Sequence, residues 1–180
     1  MAVKAMLCRL QPHPDTPCGA INGVEVKITR SLSGQLELVY RATGHVSGVR
    51  LPQPVEPQRA DDLWRNTCFE VFIKVPGSDA YSEFNFSPSG RWAAYGFDNT
   101  RVGIRNLELA APSIAMRVNP EELILSVAFD PGLAGPLRLA VCAVIEEMEG
   151  QLSYWALTHL GKRPDFHHPG GFVLDIPEPE

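Results

Sequence analysis

The chain is predicted to be all-β, a β-sandwich of roughly ten or eleven mostly antiparallel strands. Three observations carry this. Short runs alternate apolar and polar side chains, the period of a strand with one buried and one wet face. The 15 glycines and 16 prolines fall mostly between those runs, where they mark turns. No long stretch carries the 3.6-residue apolar period of a helix. With 180 residues, 44% hydrophobic and 21% charged, the chain has the size and composition for a full core and reads as one domain over residues 1–180.

The N-terminal segment MAVKAMLCRLQPHP is predicted to be the first strand. Arg9 and Pro12 cut off its apolar patch, whereas a secretory leader needs an uninterrupted core of ~7–15 apolar residues, so a cytoplasmic protein is expected. Residues 24–29 place Val24, Val26 and Ile28 on one face and Glu25, Lys27 and Thr29 on the other. After the turn SLSGQ, Leu36, Leu38, Tyr40 and Ala42 repeat the alternation, which predicts a hairpin. Residues 48–62, GVRLPQPVEPQRADD, read as an extended surface loop because prolines fix φ and remove backbone donors.

The stretch 63–99, LWRNTCFEVFIKVPGSDAYSEFNFSPSGRWAAYGFDN, organises the rest: three strands joined by two tight turns. Over 67–75, Phe69, Val71, Ile73 and Val75 share one face, and Cys68, Glu70, Phe72 and Lys74 the other. Over 81–86, Phe84 and Phe86 oppose Tyr81, Glu83 and Asn85. Over 91–97, Arg91, Ala93, Tyr95 and Phe97 oppose Trp92, Ala94 and Gly96. Further strands are predicted at 113–118, 122–129, 137–145, 151–158 and 172–176, with Pro120, Pro131–Gly132, Gly135–Pro136 and Glu149–Gly150 between them. The run 137–145 is apolar on both faces, as in a central strand, and the PEPE tail is polar. Two short helices are expected, at 58–64 and 105–110.

Composition excludes several function classes. Asp and Glu outnumber Lys and Arg by 21 to 16, giving a net charge of −5 where a backbone-reading nucleic-acid binder needs a basic excess. No apolar run approaches the ~20 residues of a membrane-spanning helix. Cys8, Cys18, Cys68 and Cys142 are scattered without a C-x-x-C pair, which argues against a zinc or disulfide framework.

Three sets of residues stand out as candidates. Glu70 sits mid-strand between Cys68 and Phe72, where a carboxylate needs a partner unless that face, shared with Lys74, is wet. Trp64, Trp92, Tyr95 and Trp155 could supply the flat aromatic faces of a sugar site, or could pack in the core. His159, His167 and His168, with Asp165, lie in a Gly/Pro-rich loop. Adjacent histidines seldom both reach one metal ion, so hydrogen bonding to a ligand or to the loop backbone is the better reading. Glu70 and Glu83 lie on neighbouring strands and could form the carboxyl pair of a glycoside hydrolase. There is no G-x-S-x-G, G-x-G-x-x-G or Walker A motif, and nothing demands catalysis.

The segment LWRNTCFEVFIKV resembles the Trp-containing loop and following strand of family 9 carbohydrate-binding modules and DOMON-like domains. YSEFNFSPSGRWAAYGFD and YWALTHLGKRPDFHHPGGFVLDI are similar to the free-standing bacterial DOMON-like branch. The resemblance implies an immunoglobulin-like sandwich with a ligand site on one sheet or its rim, where aromatic residues clamp a sugar and polar side chains bond its hydroxyls. By motif position it implies Trp64 and Trp92 as walls, Glu70 and Asn85 as hydroxyl acceptors, and Arg91 with His159 or His168 as rim donors. The expected function is non-catalytic binding of a small carbohydrate-like molecule, without metal or cofactor. Two alternatives stay open: haem held by a Met–His pair as in another DOMON branch, although Met116 and Met148 match no such motif, and glycoside processing by Glu70 and Glu83.

Overall fold

Alternating side chains become strands wherever one face finds a core, and the computed structural model, which describes residues 5–179, has thirteen of them. They are β1 (Met6–Pro12), β2 (Ile21–Arg30), β3 (Leu36–Gly44), β4 (Gln58–Arg59), β5 (Cys68–Lys74), β6 (Tyr81–Phe86) and β7 (Arg91–Phe97). There follow β8 (Arg105–Asn106), β9 (Ser113–Val118), β10 (Glu122–Phe129), β11 (Leu137–Glu146), β12 (Leu152–Ala156) and β13 (Leu174–Ile176). The all-β expectation holds. Residues 1–4 of the expected first strand and the last residue of the PEPE tail lie outside the described residues.

Strand pairing runs without a break through eleven strands, in the order β4-β7-β6-β5-β11-β12-β1-β2-β3-β10-β9. β8 and β13 attach beside that path, to β7 and β11. All pairings are antiparallel except β4 with β7. β1 is the corner: residues 6–10 pair with β2, whereas Gln11 and Pro12 pair with β12.

The sheet curls so that its two halves face each other. Tyr40 of β3 lies 5.0 Å from Phe69 of β5, and Phe129 of β10 lies 4.7 Å from Phe84 and 5.2 Å from Phe86 of β6, measured between ring centres. The Tyr40 hydroxyl donates to the Glu70 carbonyl at 2.8 Å, tying the halves through a buried bond. The core between them collects the faces that alternation marked as apolar, including Val24, Val26 and Ile28 of β2 and Leu36 and Leu38 of β3. β11 is buried on both faces, as its unbroken apolar run requires. Its second face joins a smaller outer cluster with Phe72, Tyr81, Phe97 and Phe172.

Neither expected helix forms. Gln58 and Arg59 instead pair in parallel with Arg91 and Trp92, and only Leu63–Arg65 closes a single 3₁₀ turn. Prolines at 52, 54 and 57 keep the chain extended into this segment, and one isolated helical turn cannot repay its nucleation entropy. Arg105 and Asn106 pair with Gly96 and Tyr95, while Leu107 and Leu109 pack on the inner core. Among the described residues, no helix is long and apolar enough to cross a membrane.

Candidate functional site

The outer face of β5, β6, β7, β11 and β12 forms the floor of a cavity of about 900 Å³. Strand alternation decides what reaches it. With Phe69, Val71, Phe84, Phe86, Trp92 and Ala94 turned into the core, Glu70, Phe72, Glu83, Tyr95 and Phe97 must point outward. Three loops wall the cavity, contributing Asp61, Asp62 and Trp64, then Arg101 and Ile104, then Arg163, Phe166 and His167.

The floor holds two carboxyl groups. Glu70 is 2% exposed and Glu83 7%. Glu70 pairs across the ladder with Asn85, and Glu83 with Phe72, so the two glutamates are diagonal neighbours on adjoining strands, roughly 7–8 Å apart between Cα atoms. Burial pushes the Glu70 carboxyl well above the ordinary range, the charge of Glu83 adds to this, and a hydrogen bond from the Cys68 thiol opposes it. Glu83 is also raised by burial, against the pull of the Asn85 amide and Arg101. Asn85 Nδ2 donates to Glu83 Oε1 at 2.8 Å. Glu70 Oε1 and Asn85 Oδ1 are buried without a hydrogen-bond partner, a costly arrangement for groups so far from water.

His167 stands over this pair. Its Nδ1 lies 2.7 Å from the Tyr81 hydroxyl, which accepts the Arg101 backbone N–H at 3.1 Å. That relay makes Tyr81 the donor to Nδ1 and leaves the proton on Nε2, facing Glu83 Oε2 at 3.6 Å. The separation exceeds a hydrogen bond. Burial, reinforced by Arg101 and opposed by Asp165, lowers the imidazole to about 4, so it is neutral at physiological pH and the contact is not an ion pair. At the rim, Arg101 Nη2 donates to Asp165 Oδ1 at 2.7 Å, and the Tyr95 hydroxyl donates to Asp61 Oδ1 at 2.5 Å.

Glu83, Tyr95 and His167, singled out from the residues themselves, line the cavity. Of the seven residues implied by the motif resemblance, it brings together Trp64 and Glu70, with Asn85 directly beside Glu70 on the next strand. Trp64 is 43% exposed with the Arg65 guanidinium over its ring. The other four lie elsewhere. Trp92 is 5% exposed on the inner face, capped by Arg59 at 4.3 Å, so it is a core residue and not a wall of this cavity. Arg91 is exposed at the start of β7, opposite Gln58. His159 Nε2 donates to the Gln11 carbonyl at 2.8 Å and packs edge-on against His13, while burial lowers its pKa. His168 turns its Nδ1 onto the Gly170 N–H at 3.1 Å and caps its own loop.

Sequence reasoning missed Arg101 and preferred His168 to His167. Arg101 sits in an irregular loop with a left-handed φ of 58°, where no periodicity announces it. For His167 a signal existed: Asp165, two residues earlier, accepts the His167 N–H through its side chain at 3.1 Å, an Asx-type turn that aims position 167 inward. Among the described residues, His167 is the one imidazole lining the cavity and no methionine lines it. Met6 and Met116 pack against the inner core, and Met148 is exposed. These side chains do not fit a Met–His haem ligand set. Among the described residues no three His, Cys, Asp or Glu side chains gather as a metal site, and the four cysteines are free.

No protein-family model and no curated protein matches this chain. The fold is similar to the crystal structure of "a putative carbohydrate-binding protein" from Bacteroides uniformis ATCC 8492, with a TM-score of 0.66 and 17% sequence identity over 94% of this chain and 84% of that one. At that identity the likeness concerns the fold.

Proposed function

We propose that the protein binds a small carbohydrate-like molecule in the cavity above Glu70 and Glu83, without transforming it. The observation that carries the reading is the pairing of an aromatic-walled cavity with a buried floor oxygen, Glu70 Oε1, that has no hydrogen-bond partner among the described residues. Sugar recognition needs this combination: flat rings against C–H faces, and fixed polar groups for hydroxyls. Trp64, Tyr95 and Tyr154 supply ring faces, Glu70 and Glu83 supply acceptors, and Arg101 and Arg163 supply rim donors. The motif resemblance to carbohydrate-binding modules and DOMON-like domains supports the same reading, as does the description of the Bacteroides uniformis protein. The facing halves of the curled sheet favour describing it as an opened immunoglobulin-like sandwich.

The test is a tryptophan-fluorescence titration with mono- and oligosaccharides. A saturable change is expected in the wild type, with affinity falling at least about tenfold in Trp64→Ala, as for an aromatic anchor in a recognition site. Because Trp64 is half-exposed, that variant should keep its stability within roughly 1 kcal/mol. Trp92→Ala should instead lose about 3–5 kcal/mol by opening a void in the core. Unchanged affinity in Trp64→Ala would remove the aromatic wall from the reading.

A second reading is favoured by the diagonal placement of Glu70 and Glu83, which sets two carboxyl groups on one cavity floor as glycoside hydrolysis requires. It requires turnover of aryl glycosides that Glu83→Gln abolishes. An inactive wild type across α- and β-linked substrates would dispose of it.

A further inference from the structure

The inventory of polar atoms on the cavity floor is one-sided. Glu70 Oε1 is buried, lacks a partner and belongs to a residue that lines the cavity. Its cross-strand neighbour Asn85 commits its amide donor to Glu83 and leaves Oδ1 equally without a partner. Glu83 Oε2 faces the His167 Nε2–H at 3.6 Å. Two buried oxygens on neighbouring strands thus lack partners, and once Glu70 is ionised both act only as acceptors, with Glu83 Oε2 beside them on the cavity floor. A sugar hydroxyl brings one donor together with lone pairs that would face these oxygens, whereas an ammonium brings three donors and no lone pair.

Charge points the same way. The cavity is lined by four carboxyl groups against two guanidinium groups. Asp62 pairs with Arg65, Asp61 accepts from Tyr95 and Arg101 pairs with Asp165. That leaves Glu70 and Glu83 on the floor without an ion-pair partner among the described residues, with Arg163 on the cavity wall. The remaining walls are largely aromatic, and ring faces attract cations. A cation within about 4–6 Å would also favour the ionised carboxyls that burial now disfavours.

Resting on the ligand-binding reading above, we infer that the ligand carries a protonated primary amine seated on Glu70 and Glu83: an amino sugar, or a ring of similar size bearing an ammonium group. The amine occupies the floor and the ring lies against the aromatic walls, with its remaining hydroxyls towards Arg101 and Arg163.

The experiment is calorimetric titration of the wild type, Glu70→Gln and Glu83→Gln with matched pairs: glucosamine and glucose, galactosamine and galactose, cyclohexylamine and cyclohexanol. It is run at about pH 6.5, where an amine of ordinary pKa is protonated. The amine of at least one pair should bind about tenfold tighter than its hydroxyl partner or better, because charge-assisted hydrogen bonds are roughly twice as strong as neutral ones. In the variants that gap should shrink to within about threefold, the amine losing more than the alcohol. Circular dichroism confirms that each variant is folded, and the two variants stand in for one another if one is not. If the hydroxyl member binds as tightly as the amine, or if both substitutions weaken the two members equally, the ammonium inference is wrong while the cavity remains a sugar site. If no member of any pair binds the wild type, the inference and the ligand-binding reading fall together.

Discussion

Glu70 and His167 line one cavity but titrate with opposite consequences for stability. The Glu70 carboxyl is raised above its ordinary value of 4.5 by burial and then by Glu83. As pH rises the unfolded chain ionises first, so the contribution of Glu70 is full below about 4.5 and is lost as pH climbs through the folded value. Glu83 acts with the same sign. His167 is lowered from 6.5 to about 4, so the unfolded chain takes up its proton first as pH falls. Its contribution is full above 6.5 and is lost as pH falls through about 4. Glu70→Gln is therefore expected to melt above the wild type at about pH 8 by several degrees, since 1 kcal/mol moves Tm by roughly 2–4 °C in a chain of this size. The gap should close towards pH 4.5. His167→Gln should flatten the acid limb by on the order of 3 kcal/mol between pH 6.5 and 4. Parallel Tm–pH curves for wild type and Glu70→Gln would mean that this carboxyl ionises normally in the folded protein.

At the scale of elements, the β2–β3 hairpin shows where backbone geometry leaves no choice of residue. Gly44 ends β3 at φ +151°, and a Cβ there would collide with the Ala20 carbonyl oxygen and approach Ile21 Cα to 2.9 Å. The neighbouring His45 N–H donates to that same carbonyl at 2.7 Å, so Ala20 cannot easily move away. Gly34, at φ +89° in the turn between the strands, has open space around its would-be Cβ. Gly44→Ala is expected to lose on the order of 3 kcal/mol, and Gly34→Ala about 1 kcal/mol from φ strain alone. Urea denaturation of the two variants compares them directly, and equal losses would show that the clash at Gly44 relaxes. Strands of this kind were legible because a period of two is a purely local consequence of burying one face. It placed Glu70, Glu83 and Tyr95 on the side opposite Phe69, Phe84 and Trp92, as observed. The same rule already set Trp92 against Tyr95, and motif likeness overrode it. What stayed illegible came from loops: Arg101 is placed by long-range contacts with Tyr81 and Asp165, whereas for His167 the local turn through Asp165 was a readable signal that the motif likeness at His168 displaced.

Across the whole molecule, the half of the sheet carrying the cavity shares the main core with the other half and has only the small outer cluster around Phe72 and Tyr81 to itself. Phe69, Phe84 and Phe86 pack beneath the site strands against Tyr40 and Phe129 from β3 and β10. Loss of either half would expose the other's apolar face, so the described chain should unfold in one cooperative step. The Tyr40 hydroxyl bond to the Glu70 carbonyl is the sharpest probe of that coupling, since it joins the strand bearing the site to the far half at 2.8 Å. Tyr40→Phe keeps the ring and removes the donor, which should lower stability by about 1–2 kcal/mol. Melting followed by far-ultraviolet circular dichroism reports the whole sheet, and tryptophan fluorescence reports Trp64 at the site together with Trp92 and Trp155 in the core. Both signals should shift down together and remain superimposed in the variant. Transitions that separate, with fluorescence lost before the sheet signal, would mean that the site half opens on its own and that the two halves are not one cooperative unit.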